Sequence, residues 1–158
     1  MSTTIRHDLL QPSLQGQPAG RAPYSQTAGF ACAFFGGPVA SLLLAGLNAW
    51  RVGRWPKDLG FLLPAALLWV GLLAALMHTA AGNAVARAVT ELAGRRGPEL
   101  LMQALGLAYF AFTTLWLHRR EHRIADLMGL KRPNGWWVGL ALVVLGNGAT
   151  FGLAAWLA

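Results

Sequence analysis

"FACAFFGGPVASLLLAGLNAW", residues 30–50, contains no Asp, Glu, Lys or Arg. It belongs to a longer uncharged run from Ala22 to Trp50, and three more follow: Leu59 to Ala86, Leu100 to His118, and Pro133 to Ala158. A helix needs roughly 20 mostly apolar residues, at about 1.5 Å rise each, to cross about 30 Å of hydrocarbon. All four runs approach or exceed that length; the third is the shortest and carries Gln103. Only 12% of the chain is charged, about half the usual share. A soluble helical domain spreads charge along every amphipathic helix, whereas segments apolar all round mark membrane spans or the core of a much larger protein. The expected fold is therefore all-α, an integral membrane bundle of four transmembrane helices near 27–50, 59–81, 99–118 and 135–157. The third helix is expected to run on to about residue 128.

Residues 1–25 read as a flexible polar tail ahead of a transmembrane domain over 26–158. Pro, Gln, Gly and Ser are scattered there without apolar periodicity, and such a segment cannot bury enough surface to offset its ordering entropy. Its apolar run begins too late and runs too long for a cleavable signal peptide. "RVGRWPKD" and "GLKRPNG" close the first and third connections with Gly and Pro, which interrupt helices. Trp50, Trp55, Trp116, Trp136 and Trp137 fall where these basic stretches meet the apolar runs, the pattern of an aromatic belt at headgroup depth.

Eight Lys and Arg residues lie in the first and third connections, against five in the tail and second connection. The positive-inside rule then puts residues 51–58 and 119–134 in the cytoplasm and both termini outside. The second connection, "AVARAVTELAGRR", reads as a short basic surface helix. A net charge of +7 carried beside apolar spans points to anionic lipid headgroups rather than nucleic acid. The residues expected to meet them are Arg51, Arg54, Arg119, Arg120, Arg123, Lys131 and Arg132.

"HRREH", His118 to His122, matches the H-x-x-E-H pattern of one class of zinc peptidases, in which two His bind metal and the Glu activates water. That chemistry needs a third ligand and a substantial domain around it, and only Asp126 follows as an acid. The expected reading is a juxtamembrane helix with Ile124, Leu127 and Met128 as its apolar stripe, chemically silent at both histidines. One cysteine, Cys32, excludes a disulfide framework or a Cys-based zinc site. No catalytic residue, metal or cofactor is expected.

Small residues supply the packing signals. Gly36, Gly37, Pro38 and Ser41 in helix one, and Gly148 and Gly152 with Asn147 in helix four, mark faces where backbones approach closely; Pro38 should kink helix one near the midplane. Asn48, His78 and Gln103 form a second candidate set, polar groups that could line a path.

The stretch from Tyr24 to Arg54 resembles the start of a family of small, uncharacterised, polytopic bacterial inner-membrane proteins, with a Tyr-Ser pair, a Phe-x-Gly-Gly-Pro-x-Ala core and an Asn before a basic loop. Phe34 supplies the spaced Phe here, and Gln26 stands where that family often has Pro. The resemblance covers about a fifth of the chain, implies a multi-pass inner-membrane protein, and brings no established activity. The expected function is that of a non-catalytic accessory or adaptor subunit acting through helix contacts with a membrane-protein partner or itself; the alternative is an oligomeric channel or transporter component.

Overall fold

The computed structural model describes residues 21–157; the expected flexible tail lies outside the described residues as far as position 20. Among the described residues the chain is helical without strands: α1 (Gln26–Arg51), α2 (Trp55–His78), α3 (Ala80–Ala93), α4 (Gly97–Ala111), α5 (Arg119–Leu127) and α6 (Trp136–Leu157). A 3₁₀ turn, Gly94–Arg96, joins α3 to α4, and a π-helical turn, Phe112–Leu117, extends α4. Four segments are long and apolar enough to cross a membrane: Gln26–Arg51, Trp55–His78, Ala80–Leu117 and Trp136–Leu157.

Length and composition do not fix how each segment runs, and α1 does not run straight. Ser25 caps its start by accepting from the Ala28 N–H at 3.2 Å, as N-cap serines do. At Gly37 the backbone leaves the helical region, with φ 67° and ψ −160°, a conformation open to a residue without Cβ. Pro38 then opens a second half over residues 38–51, its ring fixing a helical φ and its missing N–H costing nothing in a first turn. The two halves fold back on each other. The Tyr24 N–H donates to Asn48 Oδ1 at 2.9 Å across 24 positions, whereas a straight helix of that length would hold them about 36 Å apart. Arg51 Nε donates to Ala22 O at 3.3 Å and its guanidinium lies 4.8 Å from the centre of the Tyr24 ring. Nearer the tip, Cys32 Sγ reaches Ala40 O at 3.7 Å.

This hairpin is the core of the molecule. Half of the most apolar window of α1 is buried, against 17% for α2 and for α6. α6 follows its first half upward: a Cβ on Gly135 would meet Tyr24 and Ala28, and one on Gly146 would meet Gly36 O at 2.8 Å and Ala40 N at 2.9 Å. The tip thus stops beside residues 143–147, the middle of α6. α4 descends on the other side, Gly106 set against Ala33 O and Gly37, and Phe110 against Gly29. Irregular backbone inside an apolar bundle needs partners for its freed polar groups. Here Ser41 Oγ donates to Gly37 O at 3.1 Å and Gly106 O at 3.0 Å, and Asn147 Nδ2 donates to Phe35 O at 3.0 Å.

Several expectations change accordingly. The first of the four apolar segments is a hairpin that doubles back at Gly37 rather than one rod, so three segments run end to end: α2, α4 with its π turn, and α6. Residues 22–25, expected to belong to the tail, pack on the hairpin base, with Ala22 and Pro23 buried. The expected helix from 99 to 128 is broken at His118 (φ −105°, ψ 14°); the short helix expected in the second connection is α3, set off from α2 by the extended Thr79 and from α4 by Gly94 at φ 65°. The N-terminal segment also changes ends. Tyr24, the α1–α2 turn, α5 and the start of α6 gather at one end of the bundle; α3 and the end of α6 lie at the other.

Candidate functional site

At the hairpin-base end an ionic cluster is enclosed between the first turn of α2 and the break before α5. Trp55 and Pro56 start α2, and Asp58 sits in its first turn, where a carboxylate suits the exposed N–H groups of a helix start. Asp58 is 0% exposed and His118 1%. His118 Nε2 and Asp58 Oδ2 are 2.9 Å apart. Arg54 Nη2 lies 3.2 Å from Asp58 Oδ1, and the other arm of the guanidinium donates to Glu121 Oε1. One arginine in the α1–α2 turn therefore ties α2 to α5 through two carboxylates.

The π turn explains how His118 gets there. The His118 N–H donates to Thr113 O at 2.9 Å, a five-residue step, and such an insertion shifts the phase of everything after it relative to an ideal α-helix. The ring turns into the bundle instead of continuing the outward face of Leu115 and Trp116, which are 62% and 61% exposed. His122, one turn on, is also buried, and its Nδ1 has no hydrogen-bond partner in the chain. Burial pushes His122 down to about 4, helped by the nearby charges of Arg132 and His118, with Asp126 and Glu121 opposing; it is neutral at pH 7. Arg132 closes the cluster from the α5–α6 connection, donating to Asp126 Oδ1 at 2.6 Å and His122 O at 3.5 Å.

Neither histidine is a solvated group of a juxtamembrane helix, as the sequence suggests; both are interior. Among the described residues no three His, Cys, Asp or Glu side chains converge to hold a metal ion. The Asp58–His118 pair has the acid–base half of a hydrolytic arrangement, and Thr113, five residues before His118, donates its hydroxyl to Tyr109 O at 2.9 Å. Cys32 lies far off in the hairpin. The pair joins the first turn of α2 to the break before α5. α2 is otherwise thinly packed, and besides this cluster its polar tie to α4 is the Tyr109 hydroxyl donating to Ala65 O at 2.9 Å.

The other sequence-derived residues scatter. Gly36, Gly37, Pro38, Ser41 and Asn147 do meet, at the hairpin tip. Gly148 and Gly152 do not join them: a Cβ on either would meet nothing within 4 Å, and Gly146 makes the contact with α1 instead. A four-residue spacing identifies a helix face without saying which neighbour it turns toward. Asn48 is occupied at the hairpin base, His78 is exposed at the far end of α2, and Gln103 is half-buried in α4; they form no common site. Of the expected headgroup residues, Arg51, Arg54 and Arg132 are turned onto protein partners, while Arg119, Arg120, Arg123 and Lys131 are exposed. Sequence reasoning missed Asp58, Glu121, Gly106 and Gly146. A signal existed for Asp58: it is the one acid in the first connection and stands four residues after Arg54, on the same helix side.

No family model matches the chain, and no curated protein or solved structure matches it.

Proposed function

We propose that the protein is a small, non-catalytic integral membrane protein of a bacterial inner membrane, an accessory or adaptor subunit that acts through helix contacts. The observation that carries this reading is the uncovered side of α6. Its inward glycines are used against α1, yet Gly148 and Gly152 remain open on the outside, beside an apolar cleft of about 640 Å³ between α2 and α6 lined by Leu59, Ala66, Leu145 and Ala149 among others. Small residues let a second helix approach closely where lipid supplies no hydrophobic drive. Gly152→Leu should leave the melting temperature of the purified protein unchanged while shifting its oligomeric size or removing a co-eluting partner after mild-detergent extraction. An unchanged elution profile would remove the support for an adaptor.

The re-entrant α1 favours a second reading, a channel or transporter component, because broken helices at midplane depth commonly border transport paths. Here the tip is covered by α4 and α6, which supports the first reading.

Orientation follows from charge. Among the described residues the hairpin-base end holds Arg21, Arg51, Arg54, Lys57, Arg119, Arg120, Arg123, Lys131 and Arg132, against Arg87, Arg95 and Arg96 at the other end. Nine against three is a stronger bias than the eight against four that the same residues give in a four-span arrangement, and it favours the hairpin base as the cytoplasmic end. Reporters at the N-terminus and after Lys131 should then read cytoplasmic, and reporters after Gly94 and at the C-terminus the opposite side. Both termini on one side would rule out the re-entrant hairpin.

A further inference from the structure

The hairpin-base end carries three described acids, Asp58, Glu121 and Asp126, and all three are engaged: Asp58 by His118 and Arg54, Glu121 by Arg54, Asp126 by Arg132. Pairing thus consumes Arg54 and Arg132 as well, and Arg51 is turned onto Ala22 and Tyr24. Arg21, Lys57, Arg119, Arg120, Arg123 and Lys131 are left exposed, with no acidic partner among the described residues. Three of them share one side of α5. At about 100° per residue, Arg119, Arg120, Arg123 and Leu127 fall together, while His122 and Ala125 face the bundle and are buried. Leu127 is 80% exposed and Met128, just after the helix, 50%.

We propose that this face of α5 binds anionic phospholipid headgroups, with Leu127 and Met128 entering the boundary between headgroups and acyl chains. The charge is complementary to a phosphate surface and to an acidic protein alike; the neighbours decide between them. Trp116, immediately before α5, and Trp136 and Trp137, which open α6, are all exposed, and amphipathic rings of this kind sit at headgroup depth. Arginines beside large exposed apolar side chains on one short helix are the composition of a membrane-surface helix. The inference rests on the membrane reading of the chain and is independent of the adaptor role.

The test uses the full chain reconstituted in nanodiscs of equal phosphatidylglycerol and phosphatidylcholine, with the lipid retained after detergent exchange counted by mass spectrometry. The intact protein should retain phosphatidylglycerol preferentially. Each of Arg119→Gln, Arg120→Gln and Arg123→Gln should lower that preference by about fivefold, the effect of one cation at an anionic surface. Arg51→Gln, which alters an inward-turned cation, should leave it unchanged. No preference in the intact protein, or equal losses from Arg51→Gln and the α5 substitutions, would overturn the proposal. So would a triple variant that keeps the lipid preference and instead loses an acidic protein partner. Failure of the chain to float with vesicles of either lipid would overturn the membrane reading itself, an outcome separable from loss of preference alone.

Discussion

Gly106→Leu should unfold the hairpin tip and cost about 3 kcal/mol or more, seen as a large drop in the melting temperature of the purified protein. Gly106 lies where α4 crosses the reversal of α1. A Cβ there would meet Ala33 O, and the backbone of Gly37 at 2.8 Å and 2.9 Å; these are backbone atoms, which cannot swing aside as a side-chain end can. Overpacking into side chains typically costs about 1–3 kcal/mol, and this site adds two further losses. Pushing α4 away breaks the bond from Ser41 Oγ to Gly106 O, and moving Gly37 disturbs a positive-φ turn that holds the two halves of α1 together. Even Gly106→Ala should lower the melting temperature clearly. Gly148→Leu is the matched control: same residue types, nothing within 4 Å, and no expected change in the melting temperature of the isolated protein. Equal melting temperatures for Gly106→Leu and Gly148→Leu would mean that the tip is not packed as described.

The contrast shows which parts of the fold could be read from residues alone. Length and uniform apolarity identify segments compatible with a membrane, because the bilayer imposes a length on any helix that crosses it. They are blind to a reversal inside one segment: residues 26–51 have the composition of a single span, and the reversal depends on the one φ of Gly37. "GGP" signals an interruption, and by itself it suggests a kink, the commoner consequence of proline in a helix. Nothing local separates a kink from a full return. What separates them is distant: Gly106 and Gly146 offering backbone on both sides, and Asn147 reaching Phe35 O. The ionic cluster was illegible for a related reason. His118 faces inward only because the preceding turn is π-helical, and its partner Asp58 is 60 positions away. The five-letter "HRREH" match contains His118, Glu121 and His122 of this cluster, but it carries no sign of Asp58 or Arg54.

Asp58→Ala should destabilise the protein by about 3–5 kcal/mol, the usual cost of removing one partner from a buried ion pair. The magnitude comes from what is left behind. With Asp58 gone, His118 at 1% exposure loses its Nε2 partner, and Arg54 keeps only Glu121. The base of α2 is then held by apolar contacts, Leu62 in its cluster and Phe61 against Trp116, with the Tyr109 hydroxyl bonding Ala65 O farther along the helix. His118→Ala should be comparably severe, since it strips Asp58 of its closest partner. Both outcomes run against the silent surface histidine implied by a solvated "HRREH" helix, for which either substitution would be nearly neutral. The double variant Asp58→Leu with His118→Leu decides whether the pair itself matters. Replacing both members of a buried pair by apolar side chains is often close to neutral, so the double variant should lose much less than the sum of Asp58→Ala and His118→Ala, with a coupling of about 1–3 kcal/mol. Glu121→Gln, which keeps volume and one acceptor, should cost less than Asp58→Ala because Arg54 retains Asp58 at 3.2 Å. Additive losses across the Asp58 and His118 variants, measured by thermal and denaturant unfolding in the same detergent, would show that the two side chains are buried side by side without supporting each other.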